Sequence, residues 1–188
     1  MTAHPKLRVS PAALLFFAAV FFFDTSGIVS ALIPAALVHE LGHLLLLKLF
    51  HRRLTGLRLG LFGLEMDYAP GLEGWQSLAC AAAGPAFGGL FALLACSLGG
   101  DFWLVSGAAS FLLTCFNLLP VLPLDGGRVL TALMPERTAR GISLLAACLL
   151  LAGGIAICVR FRSFGLLLAA LWLVIWNCTC FFRKADIE

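Results

Sequence analysis

Long apolar segments fill most of this chain and limit what it can fold into. Hydrophobic residues make up 61% of the 188 positions and charged residues only 12%, whereas an average soluble domain carries about 25% charged residues. Most segments reach the roughly 20 residues that a helix needs to cross a bilayer. We therefore predict an all-α polytopic membrane protein with about six transmembrane helices, forming a single membrane-embedded domain over residues 1–188. The six apolar segments are residues 11–23, 28–50, 75–98, 102–119, 141–159 and 164–182.

The basic residues are distributed unevenly over these six spans. In a six-span arrangement, eleven of the thirteen Lys and Arg residues fall on the side of both termini, and only Arg160 and Arg162 fall on the other side. Cytoplasmic loops of membrane proteins carry an excess of Lys and Arg, so we expect both termini in the cytoplasm. The net charge of +3 is too small to indicate a nucleic-acid partner.

A pair of histidines lies inside the second apolar segment, in the sequence His39-Glu40-Leu41-Gly42-His43. Residues four positions apart share one face of a helix and lie about 6 Å apart along its axis. With this spacing two imidazoles can bind one zinc ion, while the glutamate between them accepts a proton from water. A chance match is the alternative. However, ionisable residues inside a membrane segment are functional candidates by default.

Asp125 is the best candidate for a third zinc ligand. A catalytic zinc has three protein ligands and keeps its fourth position for water. Asp125 follows Pro120 and Pro123 and is followed directly by Gly126 and Gly127. At this point the fourth segment reaches the cytoplasmic side. We expect an irregular turn there, lining a cavity at the depth of His43. The alternative is an interfacial carboxylate paired with Arg128.

Together, the two motifs resemble the site-2 protease family of intramembrane zinc metalloproteases. The resemblance covers nearly the whole chain and points to the subgroup typified by stage IV sporulation protein FB, without a CBS or PDZ domain. It implies that His39, His43 and Asp125 bind one zinc ion per chain and that Glu40 is the catalytic base. It also implies that Asn117 holds the substrate or the developing oxyanion.

Two further segments take part in the resemblance. The Gly84-Pro85 step in the third apolar segment is a weak signal, because such kinks are common in membrane helices. Residues 54–68 are similar to the family's short membrane-embedded strands, which lie beside the site and can pair with an extended substrate. We therefore expect a short membrane-associated strand region after the second helix. The resemblance also implies location in a bacterial cell membrane.

The predicted function is zinc-dependent hydrolysis of peptide bonds near the cytoplasmic face, as in regulated intramembrane proteolysis. The expected partners are the lipid bilayer and a membrane-embedded or membrane-associated protein substrate. The identity of that substrate stays open, as does a regulatory membrane partner or a homo-oligomer. One alternative is a catalytically inactive escort protein of the same fold, which would have no need of Glu40. Another is a metal transporter, which would need more polar residues than the last two segments contain.

Overall fold

The computed structural model describes residues 6–60, 63–68, 72 and 74–185. The chain divides into two compact units, Met1–Thr114 and Cys115–Glu188. Most described residues are helical, and three short strands form one sheet. The elements in chain order are β1 (Lys6–Val9), α1 (Pro11–Phe22), α2 (Ile28–Leu49), β2 (Leu54–Gly60), β3 (Gly63–Tyr68), α3 (Gly74–Leu98), α4 (Asp101–Asn117), α5 (Asp125–Leu133), α6 (Glu136–Phe161) and α7 (Gly165–Ala185).

Helices form at all six predicted apolar segments, and the mainly helical fold is confirmed. Within the described residues, α2, α3 and α6 are long and apolar enough to cross a membrane. Helix α1 and the Gly165–Thr179 part of α7 are shorter apolar helices, and α4 has 17 residues with Asp101 in its first turn. The chain is therefore an integral membrane protein, whereas the number of six spans stays a prediction.

The first unit packs its helices through small residues. Ala31 and Ala35 of α2 are buried, as are Ala83 and Ala92 of α3, whereas Leu93 is 75% exposed. Helices in lipid gain little by burying leucine, and small residues let their backbones approach closely. This packing brings α2 directly against α3, which matters for the histidines of α2.

The side chain of Asp24, which lies outside the membrane segments, binds the first turn of α2. The side chain of Asp24 accepts hydrogen bonds from the backbone N–H groups of Ile28 at 3.2 Å and Val29 at 2.7 Å. Desolvation pushes the pKa of Asp24 upward, but hydrogen bonds from Ser26 and from the backbone at Val29, Ser30 and Ile28 outweigh it and hold the pKa below its usual value. These bonds satisfy donors that a helix start leaves unpaired.

The sheet has the order β1-β2-β3. Strands β2 and β3 pair antiparallel within residues 54–68, the segment in which we expect strands, with an irregularity between Leu54 and Gly56. Strand β1 pairs in parallel with β2, from Lys6 opposite Gly56 to Val9 opposite Leu59. Strand β1 was not predicted from the sequence. The position of the sheet in the membrane stays a prediction.

The second unit is built around α6 and α7. Val121, Ala147 and Leu173 form its buried core. Helix α6 begins at Glu136, five residues before the predicted apolar segment, because Pro135 occupies its N-cap position and Glu136 pairs with Arg140 at 2.6 Å. Charged residues in this first turn explain why hydropathy alone places the start too late.

Candidate metal centre

His39 and His43 lie on one face of α2, and both are buried. Their Nε2 atoms are 3.3 Å apart, and their ring centroids are 5.1 Å apart. A tetrahedral zinc with Zn–N distances of about 2.05 Å places two nitrogen ligands about 3.3 Å from each other. The predicted convergence of the two side chains on one helix face is confirmed, and their spacing fits two nitrogen ligands of one zinc ion.

A carbonyl group of α3 fixes the orientation of the His43 ring. The Nδ1 atom of His43 lies 2.8 Å from the carbonyl oxygen of Cys80. Since a carbonyl oxygen can only accept a hydrogen bond, Nδ1 donates the proton, and Nε2 is then the ring nitrogen that would bind a metal. Metal-binding histidines commonly make this bond through their second nitrogen.

Gly84 lies directly against both imidazoles. A Cβ atom at this position would overlap Nε2 of His43 and lie 2.8 Å from Nε2 of His39, closer than a Cβ atom is found to approach. A side chain here would therefore occupy the space in front of the two ligand atoms. In the sequence the Gly84-Pro85 step is only a weak signal, because a Gly-Pro step alone does not reveal which helix it faces.

Glu40 and Asn117 occupy element positions consistent with their predicted roles. Glu40 lies between the two histidines on α2 and is partly exposed, and Asn117 is the last residue of α4 and is also partly exposed. Both keep some access to solvent or substrate, as a catalytic base and a substrate-binding amide require. Their roles stay predictions.

The expectation of an irregular turn at Asp125 is only partly right. Residues 118–124 are irregular, but Asp125, Gly126 and Gly127 form the first turn of α5. A Cβ atom at Gly126 would overlap the carbonyl oxygens of residues 118 and 119, and one at Gly127 would lie 2.5 Å from the nitrogen of Leu122. The two glycines are therefore required by close backbone packing, not by backbone freedom.

The carboxylate of Asp125 is buried and lies at a helix N-terminus. Its side chain is 7% exposed, and the nearer Oδ1 atom is 3.8 Å from Nη1 of Arg128, whose side chain is 52% exposed. This pair corresponds to the alternative given for Asp125 in the sequence analysis. However, an ion pair of this length with an exposed arginine contributes little to the stability of the fold. The helix N-terminus also favours a negative charge, so the carboxylate suits a metal ligand.

His39, His43 and Asp125 are a group of residues that could hold a metal ion, and each of them offers one ligand atom. The group offers two imidazole nitrogens and one carboxylate oxygen. Catalytic zinc sites use this donor set and leave one position for water. The residues that the sequence predicts as ligands therefore fit zinc in both number and chemistry.

Comparison with known proteins now gives this site a family context. Residues 99–161 match the model of peptidase family M50, a range that includes Asn117 and Asp125 but not the two histidines. No curated protein matches the chain. The solved structure of the site-2 protease from Methanocaldococcus jannaschii is similar with a TM-score of 0.69 at 18% identity, over 95% of this chain and 93% of that chain. This chain has the site-2 protease fold.

The predicted resemblance to the site-2 protease family is thereby confirmed, whereas the subgroup of stage IV sporulation protein FB stays a prediction. Peptidase family M50 indicates a metalloprotease. The site-2 protease fold, the apolar helices and the His-His-Asp group agree with a protease that works in a membrane.

Proposed function

We propose that this protein is an intramembrane zinc endopeptidase that cuts membrane-embedded or membrane-associated proteins near the cytoplasmic face. The observation that carries the proposal is the pair His39 and His43 inside an apolar helix, with their Nε2 atoms 3.3 Å apart. The Cys80 carbonyl orients His43 for metal binding. Gly84 leaves the space in front of the pair open.

One zinc ion per chain would be held by His39, His43 and Asp125. When bound, zinc supplies Lewis-acid activation of water and of the scissile carbonyl. Glu40, placed between the two histidines, accepts a proton from the attacking water and delivers it to the leaving amine. The Asn117 amide binds the substrate carbonyl or the negative charge that develops on it.

The pairing of β1 with β2 supports the proposed topology. Strand β1 precedes α1 and β2 follows α2, and the two strands are hydrogen-bonded in parallel. The chain must therefore return to the side on which it began, so if α2 crosses the membrane then α1 crosses it as well. With the basic residues near both strands, this supports a cytoplasmic N-terminus. A cytoplasmic C-terminus and a single membrane domain are further parts of the proposal. A bacterial cell membrane is the proposed location.

The test compares two glutamate substitutions in the full-length protein, reconstituted with a panel of single-pass membrane proteins. Glu40→Gln keeps the size and polarity of the side chain but cannot accept the proton. Glu136→Gln is the matched control, because Glu136 is 53% exposed and pairs with Arg140 on α6. Fragments are mapped by mass spectrometry.

We expect cleavage by wild type and by Glu136→Gln, and a loss of about 10²–10⁴-fold in Glu40→Gln with zinc retained. Undiminished cleavage by Glu40→Gln would contradict the mechanism. A zinc-loaded wild type that binds substrates but cuts none of them would favour the escort protein.

A further inference from the structure

Three hydrogen bonds close a ring around the backbone of Leu122, in the irregular segment before α5. The N–H of Leu122 donates to Oγ of Ser143 at 2.7 Å. The hydroxyl of Ser143 donates to Oδ1 of Asn177 at 2.6 Å. The side-chain amide of Asn177 donates to the carbonyl oxygen of Leu122 at 2.7 Å. Both polar groups of one backbone residue are thus held by side chains of α6 and α7.

The ring is buried, and its amide can point only one way. Ser143 is 0% exposed and Asn177 is 7% exposed. The amide nitrogen of Asn177 also donates to the carbonyl oxygen of Leu173 at 2.8 Å, so its two hydrogens and its oxygen all have partners. A buried polar side chain is costly unless its hydrogen bonds are made. Two polar residues inside apolar helices are stable here because the ring satisfies them.

The ring also holds the chain that leads into Asp125. Leu122 lies three residues before Asp125, and the N–H of Leu124 donates to the carbonyl oxygen of Val121 at 2.9 Å. Gly127 packs closely on Leu122, because a Cβ atom added at Gly127 would lie 2.5 Å from the backbone nitrogen of Leu122. A displacement of the Leu122 backbone would therefore displace the first turn of α5, which carries the carboxylate.

We propose that Ser143 and Asn177 are positioning residues, which hold the backbone of Leu122 and thereby fix Asp125 for metal binding. The proposal rests on the proposed function, because it takes Asp125 as a metal ligand. If the ring only joined α6 to α7, removing its hydrogen bonds would change the stability of the fold and leave the metal affinity unchanged. If the ring positions Asp125, removing its hydrogen bonds lowers the metal affinity as well.

The test uses full-length protein in detergent, with Ser143→Ala, Asn177→Leu and the hydroxyl-preserving Ser143→Thr. Thr179→Val is the matched control, since the exposed Thr179 hydroxyl donates only to a carbonyl of its own helix, at 2.9 Å. Cobalt and zinc affinities are measured by chelator competition well below the melting temperature. The visible spectrum of bound cobalt reports its coordination.

We expect Ser143→Ala and Asn177→Leu to weaken metal binding by about 10–100-fold, the usual effect of losing a group that supports a metal ligand. Their cobalt spectra should also change. Ser143→Thr and Thr179→Val should stay within about threefold of wild type. Unchanged affinities and spectra in folded Ser143→Ala and Asn177→Leu would overturn the proposal.

Hydrogen exchange separates this proposal from the proposed function. The Leu122 amide should be protected in wild type and Thr179→Val and exchange faster in Ser143→Ala. Unchanged protection in Ser143→Ala would overturn the proposed role of the ring, even if wild type binds zinc and cuts substrates. A wild type that binds no metal would overturn the role assigned to Asp125 and with it the proposed function.

Discussion

Adding one methyl group at Gly84 should strongly weaken metal binding without unfolding the protein. In Gly84→Ala the new Cβ atom overlaps Nε2 of His43, and it would lie 2.6 Å from Cε1 of His43 and 2.8 Å from Nε2 of His39. Cβ atoms essentially never approach other atoms within 3.0 Å, so both rings must move by several tenths of an ångström or more. Alanine itself favours the helix by about 1 kcal/mol relative to glycine, so α3 should still form.

The cost to metal binding follows from the displacement of His43. Metal–ligand distances tolerate changes of only about 0.2 Å, and a shift of the ring also disturbs its 2.8 Å hydrogen bond to the Cys80 carbonyl. Losing such an orienting bond alone usually weakens metal binding about 10–100-fold. Since both ligands are displaced in Gly84→Ala, we expect at least the upper end of this range.

Zinc affinity measured by chelator competition checks this prediction, and α3 provides a matched control. Gly89→Ala adds the same methyl group five residues further along α3, where a Cβ atom would have nothing within 4 Å. We expect Gly89→Ala to bind zinc like wild type. Wild-type zinc affinity in a folded Gly84→Ala would refute the assignment of the metal to the space in front of the two histidines.

Three further predictions concern the remaining parts of the site and the topology. Asp125→Ala should lose more zinc affinity than the roughly 10–100-fold expected of supporting groups, whereas Asp101→Ala at the start of α4 should lose none; equal metal content in both would exclude Asp125 as a ligand. Asn117→Ala should keep zinc but cleave about 10²–10³-fold more slowly, and a parallel loss of zinc and abundance would show a structural role instead. Reporters fused at both termini and near Glu136 should read cytoplasmic, and one near Asp101 should read external; an external C-terminus would require an odd number of spans.

The parts of the fold that could be predicted are those that the chain encodes locally. The helices could be predicted because the length and the hydropathy of an apolar segment are enough to indicate one. The spacing of His39 and His43 on a helix is likewise enough to predict that their side chains lie together. Helix α5 was missed because its first turn contains Gly126 and Gly127, which weaken a helix by about 1 kcal/mol each. It forms because those glycines pack against the backbone of the preceding loop, a contact that is not visible in the sequence.

The parts that could not be predicted depend on contacts between distant residues. Strand β1 has only four residues and exists through its pairing with β2, about fifty positions later. Gly84 matters because it lies against the two histidines of α2. Asn177 matters because it donates a hydrogen bond to the backbone of Leu122, 55 positions earlier. In each case a single residue in an ordinary segment acts through a partner that only the fold brings close.

X-ray absorption at the zinc edge of the purified full-length protein tests the central claim most directly. We expect one zinc per chain, bound by two imidazole nitrogens at about 2.0–2.1 Å and otherwise by oxygens at about 2.0–2.2 Å. His39→Ala and His43→Ala should each reduce the imidazole signal. Zinc held by sulfur at about 2.3 Å, or a folded protein that binds no zinc, would contradict the account.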